Sequence, residues 1–516
     1  MAKKKSMNWD ILLSVSFSLG AKILTFFQSV VVSWQYGAQR TTDILFYAVG
    51  IITTCSVICS TVNQQVIVPN LIKLREKSGE ESAMRFGTLV FIVYFLTAGV
   101  LSAVLAAFPV EAFSFLSKFE HSALLENASV LRIIAPTLLL MVINTLITDI
   151  FTAYKYFTMP MVVDGIKSLL IIVIVLLPWQ GGSIIKLSQA ILIANVLQLV
   201  FLLITMRVIL KWRPRYGKTG LDRSVGANIS YVVVGQVIVF LAGIILMYLV
   251  SGFEDGIYTA MDYAQKINTV IATVVISQLT TIVGINIIEY YHSGQHEILS
   301  ELFGRYLRVS FYMITPVCFV LAMCAKPLIS VLFERGEFGA EASANTAQFF
   351  MIFILIIPFR LISDFVNRLI IARQIQRTSL VWKIINNVAI MLFAWLMVGL
   401  FGYVGAPLGQ LIGTVLYCVF LFIVLGKYFP FIQHRGEIVG FLIKNLLVNA
   451  GLSLVLGMLF NNLMSATGLF AKLLSMLLAG GAYFAVYLLL SLVPGLFRKE
   501  LTWLWNTVRR KGAAQS

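Results

Sequence analysis

The residues most able to do chemistry in this sequence are charged side chains inside long apolar stretches. Lys22 lies midway along the first such stretch, with no acidic neighbour at helical spacing. Asp262 and Lys266 are four residues apart, a spacing that places both on one face of a helix and allows an ion pair. A charge in apolar surroundings is costly unless it faces a partner or a wet cavity. These residues are therefore candidates for holding a charged substrate.

A second group of charges forms a ladder at positions i, i+4 and i+8. Arg360, Asp364 and Arg368 follow Pro358, which could kink a helix and free its carbonyl groups. One arginine remains after pairing, and a guanidinium fork suits a phosphate or pyrophosphate. A gate and a purely structural ion-pair ladder are both compatible with this pattern.

Asp164 and Lys167 form another charged pair, at positions i and i+3. On a helix this spacing brings the two side chains together. We expect them to neutralise each other and to serve structure.

Several familiar kinds of site have no counterpart in the sequence. Residues 217–219 read Gly-Lys-Thr but lack the upstream glycine of a phosphate-binding loop, which argues against ATP hydrolysis. The 5 cysteines fall in or beside apolar stretches, and the histidines lie in polar loops. We expect no metal site, no disulfide and no bound cofactor.

Elements that could position these residues follow from hydropathy. The chain is 59% hydrophobic and 12% charged, with a mean hydropathy of +0.91, so its solvent must be lipid. The apolar stretches are long enough to cross a bilayer as helices. We predict an all-α polytopic membrane protein with about 14 transmembrane helices, over residues 9–33, 43–69, 86–108, 129–153, 157–178, 184–210, 227–251, 256–287, 308–330, 345–372, 380–401, 405–426, 440–463 and 471–493.

The formal charge of +16 is distributed unevenly. Most lysines and arginines lie in the loops on one side, together with both termini, which the positive-inside rule makes cytoplasmic. The basic charge therefore sets topology and contacts anionic lipid heads on the cytoplasmic side, and we expect no nucleic-acid partner. The basic residues of the opposite loops are Arg40, Lys118, Lys186, Lys326, Arg335 and Lys472.

A weak internal repeat organises the predicted spans. Two sets of six helices keep the same orientation because six is even, giving two lobes in a parallel pseudo-two-fold repeat. No loop could hold a separate catalytic domain, so we expect a transporter rather than an enzyme. A membrane-embedded glycosyltransferase would need an acidic motif, and the loop at 109–128 offers only scattered glutamates. The predicted parts are an N-lobe at 1–211, a cytoplasmic linker at 212–226, a C-lobe at 227–430, and helices 13 and 14 with a basic tail at 431–516.

Three motifs carry a resemblance to a known family. Residues 37–43 fit a Gly-x-x-x-x-Thr-Asp link between helices 1 and 2, and residues 263–267 are similar to a Tyr-Ala-Asp-Arg-Leu motif in helix 8. Residues 332–338 match Leu-Phe-x-x-Gly-x-Phe after helix 9. The sequence over about 10–430 therefore resembles a divergent member of the lipid II flippases (MurJ, also MviN), within the superfamily of multidrug and polysaccharide exporters.

The resemblance implies a V-shaped pair of lobes in the bacterial cytoplasmic membrane. It also implies alternating access, which moves an undecaprenyl-pyrophosphate-linked saccharide from the inner to the outer leaflet, and a groove for the lipid tail at helices 13 and 14. Lys22 and Lys266 would attract the pyrophosphate in a central cavity. The other residues so implicated are Asp262, Asp43 and Gln28 in the cavity, and Glu334, Arg335 and Gly336 in the motif loop.

The first helices depart from the family pattern in ways that leave alternatives open. Lys22 replaces one expected arginine, while Gln28 and Ser29 replace a second arginine and its acid. The arginine expected in helix 2 falls near Ser56. A flippase for another lipid-linked oligosaccharide, such as an O-antigen or exopolysaccharide unit, therefore remains an alternative.

A cation-coupled multidrug exporter is a further alternative. It would need a buried acid without an adjacent base, for which Asp43 and Asp149 are the candidates. The coupling energy could come from membrane potential or from a monovalent cation. We expect a monomer.

Overall fold

The computed structural model describes residues 2–156, 158–177, 183–217, 223–373, 375–465 and 468–513. In this part of the chain the regular structure is helical, apart from one isolated bridge between Arg335 and Phe338. The all-α prediction is confirmed. Residues 218–222 of the predicted linker and 514–516 of the predicted tail lie outside the described residues.

The chain divides into two compact units. Unit 1 comprises Met1–Asp262 and the short segment Arg335–Gly339, and unit 2 comprises Tyr263–Glu334 and Ala340–Ser516. The helices of unit 1 are α1 Ala2–Tyr36, α2 Arg40–Val62, α3 Val68–Ser78, α4 Glu80–Ala107, α5 Pro109–Leu116, α6 His121–Glu126, α7 Ala128–Ile134, α8 Thr137–Ala153, α9 Thr158–Leu176, α10 Ile184–Ile209 and α11 Arg223–Val250. The lobe boundaries predicted from the sequence stay a prediction.

Helix α12, Ile257–His292, begins in unit 1 and continues in unit 2. The remaining helices belong to unit 2. They are α13 His296–Met323, α14 Ala325–Phe333, α15 Ala340–Ala372, α16 Gln376–Phe401, α17 Gly405–Tyr428, α18 Arg435–Met464, α19 Leu469–Leu492 and α20 Arg498–Ala513.

Within the described residues, 10 helical stretches are long and apolar enough to cross a membrane. This confirms a multi-pass membrane protein, while the count of fourteen spans stays a prediction. The stretches are Arg40–Ser78, Glu80–Ala107, Ala128–Ala153, Thr158–Leu176, Ile184–Ile209, His296–Met323, Ala340–Ala372, Val381–Tyr428, Arg435–Met464 and Leu469–Leu492.

The predicted ninth span, at 308–330, is displaced from the helices observed. Helix α13 begins earlier because it is amphipathic at its start: Leu299, Phe303 and Leu307 are buried at helical spacing. Hydropathy alone misses such a segment. The helix ends at Met323 and a separate helix α14 follows, because Pro327 has no N–H to bond the carbonyl of Met323.

A five-residue π-helix, Asn63–Ile67, interrupts the continuous rod formed by α2 and α3. Pro69 follows it, and the proline ring excludes an ordinary α-helical bond to the carbonyl of Gln65. The wider turn accommodates this missing bond and changes the direction in which the preceding side chains point. Such single-turn insertions are frequent at functional sites.

Small residues allow close helix packing in both units. In unit 1, α1 lies against α9, where Gly165 faces Ala21 and Thr25 Oγ1 bonds Ser168 Oγ at 3.0 Å. In unit 2, Gly409 of α17 lies so close to α16 that an added Cβ would meet the backbone of Ala394. Lipid supplies no hydrophobic drive between helices, so such backbone approach is what holds them together.

Candidate functional site

Lys22 lies on α1, near the face of the helix that packs on α9. The side chain is half-buried, and no carboxylate among the described side chains lies within 4 Å of its ammonium group. Gln28, also half-buried, lies on the same helix. The amine of Lys22 is thus a cation within an apolar helix whose charge no described acid neutralises.

Asp262 and Lys266 both lie on α12. Asp262 belongs to unit 1 and Lys266 to unit 2. Both side chains are half-buried. The Lys266 ammonium lies 5.2 Å from the centre of the Tyr263 ring, which in turn lies 5.3 Å from the ring of Phe333. The aromatic face stabilises the ammonium charge in apolar surroundings.

Asp43 is buried, with 1% of its surface exposed, and its carboxylate contacts the start of α12. The two carboxylate oxygens accept the backbone N–H groups of Gly256 and Thr259, each at 2.7 Å. Those donors would otherwise be unsatisfied, and the positive end of the helix favours an anion there. Asp43 therefore caps α12 from another helix, and its predicted role in a substrate cavity stays a prediction.

Arg40, which the sequence placed only in an outside loop, joins the same region. Its guanidinium pairs with Asp255 at 2.6 Å and donates to the carbonyl of Phe253 at 3.1 Å. Thr259 Oγ1 donates to Thr42 Oγ1 at 3.1 Å. The first motif of the sequence is thus bound to the segment before α12.

The third motif meets the first within unit 1. The N–H of Glu337 donates to the carbonyl of Trp34 at 3.0 Å. Gly37 and Gly336 have positive φ angles of 62° and 63°. An added Cβ at Gly37 would collide with the backbone of Glu337, and one at Gly336 would collide with Trp34. We call Trp34, Gly37, Gly336 and Glu337 the motif junction. Its geometry explains why both motifs contain glycine.

Glu334, two residues before Gly336 of the motif junction, faces another helix. Glu334 accepts a hydrogen bond from Ser330, and its carboxylate lies 3.7 Å from the ammonium of Lys472 at the start of α19. Lys472 also donates to Ser330. Arg335 is exposed. Glu334 therefore ties the end of α14 to α19 within unit 2.

The charge ladder on α15 is less closely paired than its spacing in the sequence suggested. Arg360 is exposed, whereas Asp364 and Arg368 are half-buried. Among the described residues, none of the three forms an ion pair within 4 Å. Gly284 of α12 makes room for Arg368, because a Cβ there would lie 2.9 Å from its Nε. A role in gating stays a prediction.

The sequence did not predict two polar clusters that the structure shows in unit 1. In the first, the π-helix turns Asn63 toward Asp149, and Asn63 Nδ2 donates to the carboxylate at 2.9 Å. Ser60 Oγ donates to the same carboxylate at 3.4 Å, and Tyr94 donates to Asn63 Oδ1 at 2.9 Å. Asp149 is thus a buried acid held by neutral donors.

The second cluster lines a cavity of about 220 Å³ bordered by α2, α8, α9 and α10, which we call the α8–α10 cavity. Asn144, Asn195 and Gln198 are buried in its wall, and Asp164 and Lys167 also line it. The predicted pairing of Asp164 with Lys167 is wrong: within these described residues, Asp164 instead accepts from Gln198 Nε2 at 3.2 Å. The uncharged amides lie in two separate apolar stretches, 129–153 and 184–210, and gave no local signal of this cavity.

Comparisons with known proteins place this arrangement in context. A family model described as lipid II flippase MurJ matches residues 32–479. A probable lipid II flippase MurJ from Buchnera aphidicola subsp. Acyrthosiphon pisum is 26% identical over 346 residues, which are 63% of this chain and 66% of that protein. One from Rickettsia prowazekii is 23% identical over 314 residues, or 58% and 60%. The alignments therefore span slightly less than two thirds of these relatives.

Solved structures share the fold. A lipid II flippase MurJ in an inward closed conformation superposes with a TM-score of 0.76 at 18% identity, covering 92% of this chain and 98% of that one. An inward-facing multidrug resistance transporter of the MATE family gives 0.60 at 14% identity, covering 83% and 99%. At these identities the likeness shows the architecture alone.

Proposed function

Because the chain belongs to the lipid II flippase MurJ family, we propose that it carries lipid II across the bacterial cytoplasmic membrane. The substrate is an undecaprenyl-pyrophosphate-linked saccharide, and transfer runs from the inner to the outer leaflet by alternating access. The observation that carries this proposal is the half-buried Lys22, whose ammonium has no carboxylate within 4 Å among the described side chains. An anionic headgroup would supply the missing countercharge.

Lys266 is the second cation of the proposal. Its position beside the Tyr263 ring holds the ammonium in apolar surroundings. Two point charges suit a pyrophosphate, which spreads its negative charge over several oxygens and needs no single bidentate geometry. Lys22 and Lys266 are therefore proposed to bind the pyrophosphate, and the sugar and peptide would contact other groups.

Replacement of both lysines tests the site. A Lys22→Ala, Lys266→Ala variant should fail to support growth of a strain depleted of its own flippase, because the pyrophosphate loses both countercharges. Membrane levels measured by immunoblotting should match wild type. A Lys22→Arg, Lys266→Arg variant is the matched control, since it keeps both charges and should retain growth. Growth supported by the alanine variant at normal protein levels would show that the site is assigned wrongly.

We further propose that transport is coupled to membrane potential or to a monovalent cation. A charge crossing the membrane is worth about 2.3 kcal/mol per 100 mV, enough to bias a two-state transporter. Asp149, buried among the neutral donors of Asn63 and Ser60, is the acid we propose to take up the cation. Among the described residues no base lies within 4 Å of its carboxylate, so a bound cation would supply the countercharge.

Both termini are proposed to face the cytoplasm. Arg498 and Lys499 at the start of α20, with the largely exposed Trp505, suit an interfacial helix on anionic lipid heads. The basic loops predicted to be cytoplasmic support the same orientation. We propose that the protein works as a monomer.

A further inference from the structure

The contacts of Asp149 discriminate between the kinds of cation that this acid could take up. Asn63 Nδ2 donates to one carboxylate oxygen at 2.9 Å, and Ser60 Oγ donates to the other at 3.4 Å. The oxygen atoms of both partners already accept from other groups. Tyr94 donates to Asn63 Oδ1 at 2.9 Å, and Gln64 Nε2 donates to Ser60 Oγ at 3.2 Å. The carboxylate therefore meets hydrogen-bond donors rather than oxygen ligands.

This arrangement is unsuited to a metal ion. A charged carboxylate can only accept, so the amide nitrogen of Asn63 faces Asp149 and the amide oxygen is turned to Tyr94. Hard metal cations take several oxygen ligands. A sodium or potassium ion would have to displace the Asn63 N–H and turn the amide over. The part of the chain that the structure describes also contains no group of three or more His, Cys, Asp and Glu side chains that could hold a metal ion.

A proton needs fewer partners than a metal ion does. It binds one carboxylate oxygen, and the new O–H needs a single acceptor. Ser60 can supply that acceptor, because a hydroxyl has two lone pairs and Gln64 occupies one of them. The same hydroxyl can thus donate to the charged acid and accept from the neutral acid. Asn63 keeps its bond to the other oxygen in both states.

Ser60 also connects the buried acid to the α8–α10 cavity. Asp149 is 7% exposed, whereas Ser60 is half-buried and is one of the residues that line the cavity. Thr148 and Asp164 belong to the same wall, and a polar wall inside a membrane span is typical of a wet cavity. A proton can reach Asp149 from that water if the Ser60 hydroxyl passes its own proton to the carboxylate and takes one from the water.

The other titratable groups around Asp149 leave its charge unopposed. The elements that pack against α8 are α2, the π-helix, α3, α4, α9 and α10. Of these, α2 and α4 bring Cys59 and Tyr94 close to the acid, and both groups are ordinarily neutral at pH 7. Asp164 and Lys167 of α9 line the cavity. No base of any packed element, Lys167 included, lies within 4 Å of the Asp149 carboxylate among the described residues.

We propose that Asp149 is a proton-binding site, and that the cation coupled to lipid transfer is a proton rather than a metal ion. This proposal rests on the proposed function and narrows it, since it names the ion that Asp149 takes up. Ser60 is the positioning residue that relays the proton between the cavity and the acid.

Infrared difference spectroscopy of the full-length protein in nanodiscs tests the site without any substrate. Lowering the pH should produce the carbonyl band of a protonated carboxylic acid that Asp149→Asn removes. Asp164→Asn, which removes an exposed carboxyl from the wall of the same cavity, is the matched control and should keep that band. Exchanging choline for sodium at constant ionic strength should not change the pH at which the band appears. A missing band, or a band that sodium shifts to lower pH, would overturn the proposal.

Transfer of fluorescent lipid II in vesicles that contain the full-length protein tests the coupling. With the membrane potential clamped at zero, reversing a gradient of about one pH unit should change the transfer rate by up to about tenfold. A sodium gradient should have no effect. Asp149→Asn should lose the response to the pH gradient. Ser60→Ala should weaken that response, whereas Ser60→Thr keeps the hydroxyl and should retain it.

Three transport results would overturn the proposal. They are a wild-type response to sodium alone, a wild-type response to neither gradient, and a pH response that survives in Asp149→Asn. If Asp149→Asn does not fold, Ser60→Ala against Ser60→Thr carries the same comparison. A wild-type protein that transfers no lipid II under any gradient or potential would refute the proposed function itself, while the infrared band would still decide whether Asp149 binds a proton.

Discussion

Asp43 and Asp149 are both buried acids on membrane helices, yet their surroundings give them different tasks. Asp43 accepts two backbone N–H groups at the start of α12, so its charge stabilises the fold. Asp149 accepts from the neutral side chains of Asn63 and Ser60, and among the described residues no base lies within 4 Å of its carboxylate. The sequence made both acids candidates for cation coupling. It indicates that they lie in apolar stretches but does not show which groups they contact.

The difference predicts opposite effects of the same substitution. Asp149→Asn should keep or raise the unfolding temperature, because it removes a costly buried charge, while transport falls by about tenfold, within the usual range of coupling free energies. The matched Asp43→Asn should lower the unfolding temperature. Thermal unfolding followed with a thiol-reactive dye suits this chain, whose cysteines are buried or half-buried. If the Asp149→Asn variant transports at the wild-type rate, Asp149 takes no part in coupling transport to a cation.

Residue identity alone predicted part of the candidate site. Lys22 and Lys266 stand out because a charge in an apolar stretch is rare. Asn144, Asn195 and Gln198 do not stand out, since single amides are tolerated in many membrane helices and their meeting depends on how α8 packs against α10. Polar clusters built from several helices require the tertiary structure.

At the scale of elements, hydropathy predicted where the apolar helices lie but not how they begin, bend or join. It missed the amphipathic start of α13, whose charged residues lower its mean hydropathy, and the π-helix after α2, which leaves the apolar content of its segment unchanged. It also gave no reason for the motif glycines. The motif junction supplies one, since the backbones at Gly37 and Gly336 approach too closely for any side chain.

The motif junction predicts a sharp contrast between two glycines of one loop. Gly336→Ala should destabilise the protein by about 1–2 kcal/mol or more, from its left-handed backbone and its collision with Trp34. Gly339→Ala, three residues on, meets nothing within 4 Å and should be close to neutral. Unfolding temperatures of the two purified variants check this. Equal stability of both would mean that the junction does not constrain the fold.

At the scale of the whole molecule, the charge distribution sets the proposed orientation. The +16 formal charge is concentrated in loops that fall on one side of the predicted spans. The helices of the structure overlap those spans along the described chain, while the orientation of the loops stays a proposal.

A reporter at the C-terminus tests this orientation. A green fluorescent protein fused after Ser516 should fluoresce and an alkaline phosphatase fused there should be inactive, because the positive-inside rule keeps the tail in the cytoplasm. A phosphatase fusion to the loop around Lys118 should be active and serves as the opposite control. An active phosphatase at the C-terminus would invert the proposed topology.

The most direct measurement of the central claim is transfer of fluorescent lipid II between leaflets of vesicles that contain the purified protein. The account predicts transfer by wild type, little transfer by Lys22→Ala, Lys266→Ala, and substantial transfer when both lysines become arginine. Transfer at the wild-type rate by a folded double-alanine variant would contradict it.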